Sequence, residues 1–181
     1  MHIINSPSVP SAHAIREQLR PGSEIIVTGH VTHKHHKDFS VELLSGPNIV
    51  LHVNFRFEHD HKVCMNSSSN GMWGNEISHH NPLKHHDQFS LRIHIHEGYY
   101  HISVNGEHLA DYPHRFPVQS VQALGLKGAV HVDQIEFAGF EFGIDWNQSH
   151  DFGHAGYNSY GTESYVAPVF HETHSYNAYY N

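Results

Sequence analysis

The stretch Phe89-Ser90-Leu91-Arg92-Ile93-His94-Ile95-His96 carries the clearest structural signal in the 181-residue chain, because apolar and polar side chains alternate without a break. Successive side chains of a β-strand point to opposite faces, so one face of this strand is apolar and the other is polar. A second alternating run, residues 99–104, ends at Asn105-Gly106, a pair typical of the type I′ turn of a hairpin. These residues predict an antiparallel hairpin that joins residues 99–104 to residues 107–112.

The same alternation recurs in several short runs between Gly22 and Phe142, with turn-forming residues between them. The runs at residues 24–31, 39–43 and 130–142 each offer apolar residues to a core, and none has the period of an amphipathic helix. The residues available for burial on the last two runs are Phe39, Val41, Leu43, Val132, Ile135, Phe137 and Phe140. Many short strands without helices predict an all-β fold in which two antiparallel sheets form a sandwich.

The two ends of the chain differ from this central region. Residues 11–19 predict a short helix or an ordered arm. From about Asp145 onward, glycine, histidine, serine and tyrosine dominate, and aliphatic residues are scarce. Such a segment buries too little apolar area to offset the entropy lost on ordering. It is therefore predicted to be largely disordered, with tyrosines that favour weak self-association.

The composition argues against several functional classes. A net charge of −8 disfavours nucleic-acid binding, which needs a basic surface, although the 23 histidines make the net charge sensitive to mild acid. The single cysteine, Cys64, allows no intramolecular disulfide, and no apolar run reaches the length of a signal peptide or a membrane span. These features predict a protein that is made in the cytosol and not inserted into membranes, with export by a non-classical route as an open alternative.

The run His52-Val53-Asn54-Phe55-Arg56-Phe57 is the strongest functional signal. Its apolar side chains share the face that meets a core, whereas His52, Asn54 and Arg56 share the other face at intervals of roughly 7 Å. Imidazole, carboxamide and guanidinium groups side by side offer both donors and acceptors. This combination favours a small polyhydroxylated ligand over a merely solvated surface.

A second group of polar and aromatic residues, Asn66 and Trp73-Gly74-Asn75-Glu76, follows closely. The face of an indole ring matches the C–H side of a pyranose, and such a contact is worth about 1 kcal/mol beyond its buried area. Glu76 and Arg56 can grip sugar hydroxyls through charge-assisted hydrogen bonds of about 1.5–3 kcal/mol each. An open site of this kind is expected to bind with a Kd between about 1 μM and about 1 mM.

Taken in order, the motifs His52-x-Asn54-x-Arg56, Val63-x-x-Asn66 and Trp73-Gly74-x-Glu76 resemble the galactoside-binding signature of the galectins. The resemblance extends to Leu19-Arg20-Pro21-Gly22, Phe39-Ser40-Val41-Glu42-Leu43, Val104-Asn105-Gly106-Glu107-His108 and Tyr112-Pro113-His114-Arg115. It implies a jelly-roll β-sandwich whose carbohydrate-recognition domain spans residues 13–142. The flanking regions are then an N-terminal arm at residues 1–12 and the Tyr/Gly/His-rich tail at residues 143–181.

The resemblance also implies a role for each site residue. His52, Asn54 and Arg56 would bind the axial 4-hydroxyl of galactose. Trp73 would stack on the apolar face of the ring, while Asn66 and Glu76 would hold the 6-hydroxyl. The implied partners are glycoproteins or glycolipids that carry β-galactosides.

Two positions depart from the family pattern. Phe55 stands where the family usually has proline, and the buried face of the strand is expected to tolerate it. Ser78 stands where the family usually has an arginine that braces Glu76 and contacts the second sugar. A serine hydroxyl cannot replace those donors. Galactose recognition is therefore expected to survive, with weak binding of lactose-type disaccharides or an unusual second-sugar preference.

Other functions fit the sequence less well. Histidines at residues 33–36, 79–86 and 94–96 could chelate a metal, but no spacing completes a zinc site, so no metal or other cofactor is expected. An enzyme is not expected, because a glycosidase needs two opposed carboxylates and the matched motif has only Glu76. The alternative left open is a galectin fold whose sugar site has decayed and which binds proteins. With one such domain, multivalency would require a homodimer or association through the tail.

Overall fold

The computed structural model describes residues 1–33, 37–147 and 155–169. Within these ranges the chain forms short strands and two single-turn 3-10 helices, at Val118–Ser120 and Ala155–Tyr157. The strands in chain order are β1 (His2–Asn5), β2 (Ser11–Ala14), β3 (Glu24–Val31), β4 (Asp38–Ser45), β5 (Asn48–Arg56), β6 (Lys62–Ser69), β7 (Met72–Trp73), β8 (Ile77–His80), β9 (Gln88–Ile95), β10 (Tyr99–Val104), β11 (Glu107–Pro113), β12 (Ala123–Gly128) and β13 (Val130–Ala138).

These strands form two antiparallel sheets. A six-stranded sheet has the order β1-β13-β3-β9-β10-β11, and a seven-stranded sheet has the order β2-β12-β4-β5-β6-β7, with β8 also paired to β6. The apolar faces of both sheets pack against each other and form one core, which confirms the predicted all-β sandwich. In the described ranges, no helix is long and apolar enough to cross a membrane.

The predicted hairpin is present as β10 and β11. Asn105 and Gly106 both have positive φ, at 53° and 82°, as a type I′ turn requires. The alternating strand before it, β9, buries Phe89, Leu91 and Ile93 and leaves the residues between them at the surface. The alternation of apolar and polar residues therefore predicted both the strands and the side chains that enter the core.

A bulge explains the one irregular apolar run, in β13. The register with β3 shifts between Val132 and Gln134. One extra residue at this point reverses the phase of the strand, so that Val132 and Ile135 both face the core although they are an odd number of residues apart.

The N-terminal residues form two strands at the edges of the sheets. Strand β1 pairs with β13, with Ile4 opposite Ile135, and so extends the six-stranded sheet. Residues 11–14 form strand β2, paired with β12, so of the two alternatives for residues 11–19 the short helix is wrong and the ordered arm fits. Both strands cover a sheet edge whose backbone groups would otherwise lack partners, an advantage that local sequence does not reveal.

The C-terminal region also differs from the expected disordered tail. Trp146 is buried and its ring lies 5.2 Å from that of Phe137, centroid to centroid. In residues 155–169, Tyr157 and Tyr160 are buried against the seven-stranded sheet. The prediction of disorder is therefore wrong for the described residues around Trp146 and for residues 155–169, because aromatic rings supply the buried area that aliphatic residues do not. For residues 148–154 and 170–181 the prediction lies outside the described residues.

Phe55 on β5, which stands where the family pattern has proline, allows a test of how tightly the core is packed. Its ring is fully buried and stacks on that of Phe39, with centroids 4.6 Å apart and planes 10° from parallel. Replacing Phe55 with alanine is expected to lower the free energy of unfolding by about 3–5 kcal/mol, because the lost ring leaves a cavity. Urea denaturation measures this change. Val166→Ala, at a residue that is 81% exposed, is the control and should change it by less than about 0.5 kcal/mol.

Candidate functional site

Strand β5 carries the polar face that the sequence singled out. The apolar residues Val53 and Phe55 are fully buried in the core, while His52 and Arg56 reach the other face of the seven-stranded sheet. Asn54 lies between them on that face but is only 3% exposed. The alternation of the strand thus separates core residues from site residues, as predicted.

His52 is held by a buried carboxylate on the neighbouring strand. Its Nδ1 lies 2.6 Å from Oε2 of Glu42, which is directly opposite on β4 and 1% exposed. Burial alone would raise the pKa of Glu42, but the hydrogen bond with His52 and the positive charge of Lys127 hold it below its ordinary value of 4.5. An ionised carboxylate only accepts hydrogen bonds, so Nδ1 of His52 is the donor. The other ring nitrogen, Nε2, is left for a ligand.

Glu42 has further partners on the side away from His52. Lys127 Nζ lies 3.3 Å from Oε1, and the Tyr160 hydroxyl donates a hydrogen bond to the same oxygen. Burial and the neighbouring Glu42 charge both raise the pKa of Tyr160, so its hydroxyl stays protonated and remains a donor. The orientation of His52 therefore depends on residues from three other parts of the chain.

Asn54 orients Arg56 instead of pointing freely into solvent. Its Nδ2 donates to Asp38 Oδ2 at 2.7 Å and to Ser40 Oγ at 2.9 Å, which uses both hydrogens of the amide. Its Oδ1 accepts a hydrogen bond from Arg56 Nε at 2.8 Å. The carboxamide thus holds the guanidinium in place.

Arg56 also joins strand β5 to the segment after β7. Its Nη2 lies 3.2 Å from Glu76 Oε1, and its Nη1 lies 3.7 Å from Asp60 Oδ2. The side chains of Arg56 and Glu76 are 37% and 48% exposed, so both can reach a ligand while they face each other. A donor and an acceptor group therefore stand side by side at the surface.

Trp73 lies at the surface and is not part of the core. It is 52% exposed, and its ring centroid lies 4.8 Å from that of His52. An indole that is half exposed beside polar groups offers an apolar face that a ligand can cover. The tryptophan and the polar residues of β5 thus line one site.

Among the predicted site residues outside β5, Asn66 is the most buried, at 7% exposed. Its Nδ2 donates to Gly74 O at 2.9 Å, and its Oδ1 accepts from Arg115 Nη1, also at 2.9 Å. Arg115 further donates to Asn75 O at 2.7 Å. A Cβ on Gly74 would lie only 3.0 Å from Arg115 Nη1, so the glycine allows this close approach. One N–H of the Asn66 amide remains for a ligand.

The structure thus brings together all of the predicted site residues. What sequence analysis missed is the support: Glu42 and Arg115 belong to matched motifs but were given no role. Their partners are distant along the chain, so no local pattern reveals them. Ser78 lies on β8 opposite Cys64 and is exposed. A serine side chain is much shorter than an arginine, so it cannot make the contacts that the family pattern gives to arginine at this position.

A separate histidine cluster lies on the β10–β11 hairpin. His101 Nδ1 and His108 Nε2 lie 2.9 and 3.0 Å from the same oxygen, Oδ1 of Asp111. Although desolvation alone would raise the pKa of Asp111, the hydrogen bonds from His108 and His101 lower it. These three ligand atoms lie within 4.8 Å of one another and could hold a metal ion, but the carboxylate is already satisfied by the two imidazoles. Sequence analysis did not single out this group.

Comparisons with known proteins agree with the fold and identify the family. The family model for galactoside-binding lectins matches residues 10–137. The chain is 82% identical over 180 residues to probable galaptin lec-8 of Caenorhabditis elegans, which covers 99% of this chain and 100% of that protein. It is 49% identical over 150 residues to probable galaptin lec-7 of the same organism, covering 83% and 84% of the two chains. The crystal structure of Caenorhabditis elegans galectin LEC-6 superimposes with a TM-score of 0.71 at 29% identity, covering 75% of this chain and 95% of that one.

The lowered pKa of Glu42 predicts how stability changes with pH. A carboxylate whose pKa is lower in the folded state stabilises the protein above the unfolded-state pKa and loses this effect as the pH falls through the folded-state pKa. Glu42→Gln is therefore expected to be less stable than the wild type by about 1.5–3 kcal/mol at neutral pH. The difference should shrink as the pH falls below 4.5.

Urea denaturation of both proteins across this pH range measures the difference. The other carboxylates titrate in both proteins and cancel in the comparison. A difference that stays constant from about pH 7 to about pH 3 would contradict the assignment of Glu42 as an ionised, paired carboxylate.

Proposed function

The chain belongs to the galactoside-binding lectin family, the galectins, and we propose that the site around Trp73 binds the galactose of β-galactoside-containing glycans. The observation that carries this proposal is the half-exposed Trp73 ring beside His52, with Arg56 and Glu76 paired at the surface next to it. The protein acts as a lectin and not as an enzyme.

The hydrogen-bonding groups fit an axial hydroxyl. Because Nδ1 of His52 donates to Glu42, a neutral imidazole offers Nε2 as an acceptor for the hydroxyl hydrogen. Arg56 offers donors to the oxygen of the same hydroxyl. An axial 4-hydroxyl projects from the ring toward these groups, whereas an equatorial one lies in the plane of the ring and points past them. This difference distinguishes galactose from glucose.

The remaining residues hold the sugar in one orientation. Trp73 covers the apolar C–H face of the ring, and Glu76 with the free N–H of Asn66 meets the 6-hydroxyl. Asn54 contributes by fixing Arg56, since its own amide hydrogens already bond to Asp38 and Ser40. The site is shallow and exposed, so one site alone should bind with modest affinity. Cross-linking of glycans then requires a second copy of the chain.

Ser78 limits what the site can do for a second sugar. In the family pattern an arginine at this position contacts the residue that follows galactose. The exposed serine of β8 leaves that sugar without a charged donor. Binding energy therefore comes mainly from the galactose ring itself.

Trp73→Ala tests the sugar platform. The loss of the ring contact and its buried area is expected to weaken binding of methyl β-galactoside by at least about tenfold, equivalent to about 1.4 kcal/mol. Met72→Ala is the matched control, because Met72 is the neighbouring residue and is 77% exposed. It should change the Kd by less than about threefold. Calorimetry or NMR titration gives both values; if the wild type binds no galactoside, the fold serves instead as a protein-interaction module.

Ser78→Arg tests the assignment of the second-sugar contact. The wild type is expected to bind lactose no more than about threefold tighter than methyl β-galactoside. The variant should bind lactose about tenfold tighter than the wild type, because a charged bidentate donor returns beside Glu76. Affinity for methyl β-galactoside should stay the same in both proteins. Tight lactose binding by the wild type would refute this assignment.

A further inference from the structure

The C-terminal segment, residues 156–169, docks on the same face of the seven-stranded sheet as the sugar site. Both Tyr157 and Tyr160 are buried there. The backbone N–H of Gly46 donates to Tyr157 Oη at 2.6 Å, and this hydroxyl donates to Gln122 Oε1, also at 2.6 Å. Gly46 follows β4 and Gln122 precedes β12, so the segment is anchored on those two strands.

Glycines show how closely the segment fits. A Cβ on Gly125 of β12 would lie 2.5 Å from Cζ of Tyr160, so the tyrosine ring occupies the space above this glycine. Gly161 has φ +81°, and a Cβ there would lie 2.3 Å from the Pro10 side chain. A Cβ on Gly156 would meet Pro168 at 2.7 Å, so the segment also folds back on itself. These close contacts show that the segment is ordered and that the sheet and the N-terminal residues hold it in place.

Glu42 connects the segment directly to the sugar site. Its Oε2 bonds to His52, and its Oε1 accepts the hydroxyl of Tyr160. In the sheet, Glu42 on β4 lies between His52 on β5 and Gly125 on β12. Tyr160 therefore lies across β4 from His52, one strand away from the galactose.

If the site binds galactose as proposed, the positions of the hydroxyls on the galactose ring determine which part of the sugar faces the segment. Carbon 4 of the ring lies between carbon 3 and carbon 5, and carbon 5 carries the 6-hydroxymethyl group. With the 4-hydroxyl on β5 and the 6-hydroxyl directed toward Asn66 on β6, the 3-hydroxyl must point the opposite way. The sheet order β12-β4-β5-β6 places β4 and the docked segment on that side.

We propose that residues 156–169 wall off the sugar site at the 3-hydroxyl of galactose, so that the lectin binds galactosides with a free 3-hydroxyl and excludes those substituted there. A substituent on that oxygen would run across β4 toward β12, where the Tyr160 ring already lies on Gly125. Moving the ring aside would break its hydrogen bond to the buried Glu42, and Tyr157 holds the start of the segment in place.

A neutral probe tests the steric wall without a contribution from charge. The two ligands are methyl β-galactoside and the same glycoside carrying an α-linked galactose on its 3-hydroxyl. The proteins are the full-length wild type and Gly125→Ala, whose added methyl displaces the Tyr160 ring. Gly143→Ala is the matched control, since a Cβ there meets nothing within 4 Å. Tyr160→Ala is a second variant in case Gly125→Ala folds poorly.

The wild type and Gly143→Ala are expected to bind the substituted ligand at least about tenfold more weakly than the simple one. In Gly125→Ala and Tyr160→Ala this ratio should fall below about threefold. Each ratio compares two ligands on the same protein, so it does not depend on any affinity for the simple galactoside that is lost when Glu42 loses its bond to Tyr160. Faster hydrogen exchange of the Gly46 amide would report that the segment has left the sheet.

Each other outcome has a distinct meaning. If the wild type binds the two ligands equally well, the proposal of a wall at the 3-hydroxyl is wrong, but the proposed binding of galactosides is unaffected. The proposal is also overturned if faster exchange of the Gly46 amide shows that the segment has been released and the variant still binds the substituted ligand at least about tenfold more weakly. No binding of the simple galactoside by any of the proteins means that the proposed function itself fails, and the specificity proposal fails with it.

Discussion

One buried carboxylate holds the functional face of this protein together. Glu42 is 1% exposed and ionised, a state that is costly in a protein interior unless every lone pair finds a partner. Its partners come from three directions: His52 on β5, Lys127 on β12 and Tyr160 in the C-terminal segment. Removing any one partner leaves part of a buried charge uncompensated. The sugar site, the sheet beside it and the C-terminal segment are therefore stabilised as one unit.

The same principle governs the rest of the site, where the side chains are positioned before any ligand arrives. Asn54 uses both amide hydrogens and its oxygen on neighbours, and Arg115 braces Asn66. A side chain that is already fixed loses little entropy when it binds. Contacts that are individually modest can then give measurable affinity at an open surface. The cost is that the site adapts poorly, so its shape decides which sugars fit.

Local features were predictable from sequence and remote pairings were not. The strands around Phe89 and His52 follow from period two, and the hairpin follows from Asn105-Gly106, because each signal lies within a few residues. The hydrogen bond between Tyr160 and Glu42 joins residues 118 positions apart, and the sequence around neither residue predicts it. The C-terminal segment was misjudged for a related reason. Few aliphatic residues suggest disorder, but a tyrosine ring buried on a glycine-lined sheet gains both apolar area and a hydrogen-bond partner.

A lectin with a shallow site has two ways to become selective. Additional contacts to a preferred glycan raise affinity for every ligand that carries the shared galactose, so they separate related glycans poorly. A wall beside the ring acts only on ligands that collide with it and leaves the affinity for the accepted sugar unchanged. In the proposed function, Ser78 gives the second sugar no charged contact, and the ordered segment on the opposite side of galactose supplies the selectivity. Because Glu42 contacts both that segment and His52, the proposed wall and the proposed galactose site share one buried support.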